Sequence, residues 1–469
     1  MVPNDYPKDI DELKYKKLCY KCVGESFLKV LLGKGKRSKC DYCGKIQAAG
    51  TLGFLSEKVK DAFQDYYDRT PDEPGDYYNP HKYWFRDGDD IVDVIADAAG
   101  VEEEVAKDIQ AILEIEHEDF DTSAIGIENE FASGSMYILK PLNDESFHKK
   151  WVEFKELSKS FKPGSKAALD KILSEIFTGV YELKTRNNKS PIVEIGPGKA
   201  INKLYRARCF YTDEDLLKAF KYPDSELCPP PPHKAKPGRM NKEGVPVFYG
   251  AESREVVINE VRPPVGSKVA VAEFEIIRQL KILDLSLLKS VDNAGSIFDP
   301  DELPKRIRTD FLRKLSTLIS YPVMPGDEVS EYCPTQRVAE FLSQTIGLDG
   351  IRFPSVQSGM KEMNITLFSH ACSVEKIILP VGSKVSGNLL YEDEDYYQEY
   401  SVSITHPKNA RTPVRNSVIP HALKIDPRSI TVHGINALRY DFTVNNVSRQ
   451  VFEESERDDL DTTEVFGTR

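Results

Sequence analysis

The chain lacks any run approaching the roughly 18–20 consecutive apolar residues that span a bilayer, and its first residues have no apolar core of a secretory signal. Membrane insertion and secretion are not expected; a cytoplasmic location is. Cysteine is scarce, with 8 in 469 residues. Four are scattered (Cys209, Cys228, Cys333, Cys372) and four cluster near the start. That is no disulfide framework, and it fits a reducing compartment with one metal site. A basic excess is also missing: 75 Asp and Glu outnumber 63 Lys and Arg, for a net charge of −12. Such a balance repels phosphate-rich partners and argues against nucleic acid or a membrane surface as the main partner. A local basic run, Lys34, Lys36, Arg37 and Lys39, stands against that trend. No internal repeat is visible.

The length exceeds one ordinary core and suggests three or four domains in an α+β multidomain chain. The first, residues 1–50, carries Cys19-x-x-Cys22 and Cys40-x-x-Cys43. Each knuckle turns two thiolates toward one point, and two knuckles supply a closed tetrahedral Zn²⁺ site of the zinc-ribbon kind. Four thiolates leave no open coordination position, so the zinc is expected to be structural. Residues 51–195 read as mainly helical: Val101, Val105, Ile109, Ile112 and Leu113 recur at helical spacing, as do Leu169, Ile172, Leu173, Ile176 and Phe177. The second set follows Pro163-Gly164-Ser165, a helix start. The acidic, tyrosine-rich stretch Asp65–Tyr78 reads as a solvated face and loop.

Residues 196–375 mix β-like runs (Val245–Tyr249, Val269–Ile276, Leu280–Leu285) with helices near Lys305–Ile319 and Thr335–Ile346. Thr335 is the expected N-cap of the latter, and Gly347 ends it. Between Asp224 and Pro237, a segment holding four consecutive prolines is expected to be an exposed loop. Residues 376–469 read as a β-rich extension (Ile377–Val381, Ser401–Ile404) with an acidic, disordered tail through Glu453, Glu454, Glu456, Asp458, Asp459 and Asp461.

The ordered pieces of residues 196–375 carry a resemblance. Tyr205-Arg206 comes first, then Gly238-Arg239-x-Asn241-x-x-Gly244, Tyr249 and Glu260. Pro334-Thr335-Gln336 and Asp349-Gly350-Ile351 with Pro354-Ser355 complete the order. It resembles the RES family, named for an Arg, a Glu and a Ser. The resemblance implies an α/β fold related to ADP-ribosyltransferases and an enzyme that takes NAD⁺ as substrate. Its members act by hydrolysis, phosphorolysis or ADP-ribosyl transfer, often as toxins restrained by an antitoxin or in phage defence.

By that resemblance Glu260, Arg206 and Ser355 are the catalytic candidates, and Arg239, Tyr249, Asn241 and Arg208 bind substrate. Arginine forks suit a pyrophosphate, and a carboxylate suits the positive charge that develops on ribose. Ser355 would offer its hydroxyl to a phosphate, a ribose or the attacking group. Two features depart from the family: Met240 stands where Trp is usual, and the loop between Arg206 and Arg239 is long enough to cover a pocket entrance. The helical segment resembles a HEPN-like domain, yet residues 51–195 lack the Arg–His pair of HEPN ribonucleases; Arg415-Asn416 to His421 is a chance match. A protein-modifying transferase and a non-catalytic binding module are the competing readings. A trigger, a target protein and a homo-oligomer remain open.

Overall fold

The computed structural model describes residues 10–72, 86–118, 128–160, 165–293, 295–320, 326–392, 397–408 and 420–439, with a few single positions besides. The expected acidic tail, Arg415, Asn416 and Pro163-Gly164 lie outside them.

Near the start, strand Ile46–Thr51 is flanked by Lys17–Cys19 and Arg37–Lys39 in an antiparallel sheet. Thr51 then caps helix Leu52–Tyr66, its Oγ1 accepting from Phe54 N. That helix turns Leu52, Leu55, Val59, Ala62 and Phe63 inward, where they meet Val105, Ile109, Ile112 and Leu113 of helix Glu103–Glu116. Cys19 and Cys40 are buried in this same cluster. The Asp108 carboxylate, buried on the second helix, accepts from Lys16 Nζ at 2.5 Å and from the Tyr42 hydroxyl at 2.9 Å. The knuckles and the first helices therefore share one core. Within the stretch read as helical, Tyr67–Arg69, Asp89–Asp90 and Met136–Leu139 form a small sheet.

The four sulfurs lie within 4.8 Å of one another. Cys19 is 3.5 Å from Cys22 and 3.7 Å from Cys43, and Cys22 is 3.9 Å from Cys40. A tetrahedral zinc with bonds of about 2.3 Å places its sulfurs about 3.8 Å apart. The donor set fits the metal.

A second core begins with helices Glu145–Lys159 and Ser165–Phe177, which bury Trp151, Phe154, Leu169, Leu173 and Phe177 against Leu283, Ile351 and Phe353. The cores thus group the chain by packing: residues 13–137 gather around one, joined by Ile297 and Phe298, while these two helices join the elements that follow.

Those elements form an eight-stranded sheet. In chain order its strands are β1 (Ile192–Ile195), β2 (Lys203–Phe210), β3 (Phe248–Ala251), β4 (Lys268–Ile276), β5 (Leu280–Asp284), β6 (Gly350–Pro354), β7 (Met363–Leu367) and β8 (Leu423–Gly434). The spatial order is β8-β4-β2-β3-β7-β6-β5-β1. Only β5 and β6 run parallel; the other pairs are antiparallel. Alternation along β4 sends Ala270, Ala272 and Phe274 to one face and Val269 and Val271 to the other. The first face packs on helix Asp213–Lys221, the second on helix Arg254–Glu260. β2 and β3 share a single register pair, Tyr205 with Ala251, so the sheet opens beyond it.

Several expectations are corrected. The helix expected to start at Thr335 spans Glu328–Phe341 with Pro334 and Thr335 inside it, and Asp327 takes the N-cap. A π-turn, Leu342–Ile346, extends it to Gly347, whose φ of 80° ends it as expected. Ile377–Val381 is no strand; its chain runs along the surface with Ile377, Ile378 and Val381 exposed. The proline segment is not wholly exposed, because Leu227 and Ala235 anchor it.

Freshly purified, reduced protein should carry one zinc per chain by elemental analysis. Chelation or Cys40→Ser should then speed amide exchange in Leu52–Tyr66 and Glu103–Glu116, because Cys19 and Cys40 are part of their core, and spare β2 to β7.

Candidate active site

A cavity of about 490 Å³ opens where the sheet splits, lined by Arg206, Arg239, Tyr249, Glu260, Arg262, Tyr332, Phe353, Gln357, Asn364 and Thr366 among others. That size is typical of small-molecule sites.

Glu260 reaches it from the last turn of helix Arg254–Glu260, which Ser253 caps through its hydroxyl on Val256 N. One carboxylate oxygen, Oε1, accepts from Ser355 Oγ at 2.6 Å and from Asn364 Nδ2 at 2.8 Å. Hydrogen bonds of this kind hold an exposed carboxylate in one place, and both of these fall on Oε1, none on Oε2, among the described residues. Ser355 itself is fully buried beneath Glu260. It does not line the cavity, so its hydroxyl serves the carboxylate and not a phosphate or ribose, as the sequence reading had it.

Arg206 leaves β2 on the Leu204 face, opposite Tyr205 and Ala207. Its guanidinium lies 5.5 Å from the Phe248 ring centroid and donates to Tyr249 O at 2.9 Å across the gap between β2 and β3. Burial pulls its pKa below the usual arginine value, and no carboxylate among the described residues pairs with it. Arg239 donates to the Ile319 and Ser320 carbonyls at the end of helix Glu302–Ser320 and lies over Tyr332. Arg262, not singled out from sequence, adopts a φ of 45° just before a proline. Non-glycine residues held there usually answer to a local demand. With the Gln357 amide oxygen facing it, Arg262 donates to that oxygen at 3.1 and 3.3 Å. Neither Arg239 nor Arg262 has a carboxylate partner among the described residues. A cluster of unpaired guanidinium groups around one cavity was hard to foresee, since pairing is invisible in sequence.

Tyr249 stands on the same face as Thr366, its register partner. Its hydroxyl donates to Asn241 Oδ1 at 2.8 Å and accepts from Met240 N at 3.0 Å. Burial pushes that hydroxyl up to about 12, so it stays a donor at neutral pH. Asn241 spends its amide on the Lys236, Lys242 and Val245 carbonyls. Thr335 Oγ1 donates to Arg239 O, and Gln336 Nε2 to Gly238 O. At Gly238 a Cβ would stand 2.7 Å from the Tyr249 hydroxyl and 2.8 Å from Asn241 Oδ1, so a side chain there would push apart the hydrogen bond between them. The motifs around 238–249 and 334–336 thus form one scaffold that aims Arg239.

Two residues expected to bind substrate are placed otherwise. Asn241 has its hydrogen-bonding capacity filled by the scaffold, and it borders the cleft that adjoins the Glu260 cavity and not that cavity itself. Arg208 is half-exposed, tied to the Glu226 carboxylate at 3.3 Å, and faces an adjoining cleft of about 700 Å³. That cleft is lined by Pro230, Pro231, Cys228 and Lys236, and it meets the cavity at Arg206 and Tyr249. The proline loop therefore walls the cleft and is not part of the Glu260 cavity lining. Met240 is buried in the helical core and forms no wall of the cavity. Cys228 and Cys372 near Arg206 are pushed up by burial to about 12 and about 11, so neither is a thiolate at neutral pH.

Asn241→Ala should cost about 2–4 kcal/mol by chemical denaturation, since it strands three carbonyls and the Tyr249 hydroxyl. The ligand affinity of the remaining folded protein should change little, unlike the outcome for a residue that touches ligand.

No curated protein matches this chain. Among the described residues, no helix is long and apolar enough to cross a membrane. The family model described as RES domain matches residues 203–384, which contain Arg206, Arg239, Tyr249, Glu260 and Ser355. The segment 203–384, which supplies β2 to β7 and the lining of the cavity, belongs to the RES domain family.

Proposed function

We propose that this domain cleaves NAD⁺ at the nicotinamide–ribose bond, by hydrolysis or phosphorolysis, as a toxin or phage-defence effector. The observation that carries the reading is a carboxylate fixed by Ser355 and Asn364 in a cavity whose other charged residues are arginines without carboxylate partners. An elongated dinucleotide suits two adjoining cavities that meet at an arginine. Its pyrophosphate would lie at Arg206, with Arg239 or Arg262 beside it, because planar guanidinium forks match phosphate oxygens.

Cleavage releases neutral nicotinamide with the bonding electron pair and leaves positive charge on the ribose C1′ and ring oxygen. Water or phosphate then bonds to C1′, and in hydrolysis the proton of the attacking water passes to solvent. Glu260 would stabilise the charged ribose more than the bound substrate, which is what lowers a barrier. Ser355 and Asn364 pay the cost of orienting the carboxylate beforehand, during folding. Tyr249 and Tyr332 offer ring faces to the nicotinamide or ribose. The kinship with ADP-ribosyltransferases belongs to this same proposal, and the split in the sheet is the feature that supports it.

Glu260→Gln should retain NAD⁺ affinity while slowing turnover by roughly 10²–10³-fold, on the order of 3–4 kcal/mol. Arg206→Ala should weaken binding and rate together, because pyrophosphate contacts already exist in the ground state. Calorimetric affinity, melting temperature and chromatographic products with and without phosphate decide the matter. A well-folded Glu260→Gln protein with unchanged turnover removes Glu260 from the chemistry. Label appearing on protein instead of free ADP-ribose or its phosphate would make the chain a transferase.

A further inference from the structure

The basic run near the start is left unexplained by this chemistry. From Ser26 to Lys45 the sequence holds six cations, Lys29, Lys34, Lys36, Arg37, Lys39 and Lys45, against one acid, Asp41. All six are exposed, and none has an ion-pair partner among the described residues. Asp41, whose carboxylate accepts from the Lys17 backbone N–H and pairs with none of the six, offsets only one of their charges. A zinc with four thiolates carries a charge of about −2, which offsets only part of this excess.

The fold gathers these cations on one small unit. Helix Ser26–Gly33 presents Lys29, the turn after it Lys34 and Lys36, and the antiparallel pair Arg37–Lys39 and Ile46–Thr51 presents Arg37 and Lys39. Lys29 and Arg37 share the rim of an open, shallow depression with Tyr20, Val30 and Gln47. Lys21, also exposed, lies 5.9 Å from the Tyr20 ring centroid.

We propose that this face of the four-cysteine module binds single-stranded nucleic acid. Cations spaced over a helix and a β-hairpin track a phosphate backbone, while a ring and an amide in the depression receive a base. The acidic remainder of the chain does not cancel the field, since charges in about 0.15 M salt are screened beyond about 8 Å. A lipid surface is the weaker match. The apolar side chains on this face, Val30 and Ile46, are 59% and 61% exposed and isolated, too little to anchor on a bilayer.

The test uses the full, zinc-loaded chain with fluorescent oligothymidylate and oligouridylate, followed by anisotropy. Four phosphate contacts predict a loss of roughly 50-fold in affinity between 50 and 200 mM salt. Lys34→Glu with Arg37→Glu should lower affinity by at least about tenfold. Lys289→Glu, an exposed lysine of the RES domain, should leave it unchanged. Zinc content and melting temperature check that each variant is folded. Absence of oligonucleotide binding overturns the proposal. So does an equal loss in the Lys289 variant, or binding only to vesicles of equimolar phosphatidylcholine and phosphatidylserine. A preference for one oligonucleotide sugar would identify the nucleic acid while leaving the surface as assigned. Since Glu260 and its cavity take no part in the measurement, the result is independent of NAD⁺ chemistry.

Discussion

Two neighbouring strands that pair and then part create the space on which the RES domain's site depends. β2 is held along its other edge by the full length of β4, whereas β3 is held by β7. Between β2 and β3 only Tyr205 and Ala251 meet in register. A gap in a sheet leaves backbone groups without ladder partners, and such groups are costly when buried. Arg206 answers part of that demand by donating to the Tyr249 carbonyl across the gap. The same guanidinium, without a carboxylate, is then available to an anion from both the cavity and the adjoining cleft. One residue thus closes the structure and opens the site.

Around that gap the work divides between residues that hold and residues that face outward. The turn through Gly238–Asn241 is pinned by Thr335, Gln336, Asn241 and Tyr249, whose bonds go to backbone or to each other. None of these bonds selects a ligand, yet together they fix where Arg239 stands. Arg352 plays a comparable part beneath β6, joined to both Glu252 and Asp284. Its two carboxylates mark the difference from Arg206, Arg239 and Arg262. An arginine with carboxylates is part of the frame; one held only by carbonyls or an amide keeps its positive charge for something else.

The sequence made the regular parts legible. Alternation along Val269–Ile276 and the helical spacing from Leu169 to Phe177 follow directly from which residues must be buried, and both elements are present. The knuckles were equally plain, because ligand spacing is local. Glu260 and Arg206 were reached through a resemblance in motif order, and the structure brings both to one cavity. Ser355 and Asn241 were read as reaching for the ligand, whereas the structure spends their polar atoms on Glu260 and on the 238–249 scaffold, and Arg208 stands at the adjoining cleft beside Glu226. A motif records that a residue is needed near a site; only the fold shows whether its polar atoms are already spent. Arg262 and Asn364 were missed for the converse reason, since their value lies in partners distant along the chain. Thr335 misled because its hydroxyl resembles a cap, while the helix runs through it from Glu328 with Pro334 inside.

Placing the two donors on a single oxygen of Glu260 has a consequence for charge in the cavity. A carboxylate with both oxygens bonded is a structural anion; with one bonded it is oriented but half available. Ser355 is buried and Asn364 nearly so, and both sit on the sheet side of Glu260. They cannot follow a ligand, so the carboxylate cannot either without losing them. The exposed side chains of Arg262 and Glu260, two residues apart at the helix end, meet opposite requirements: one for negative charge already present on a bound phosphate, the other for positive charge that arises only as a bond breaks. Their separation follows from the chain itself. Helix geometry ends at Glu260, and the left-handed turn at Arg262 swings the next cation toward Gln357, away from the carboxylate that it would otherwise neutralise.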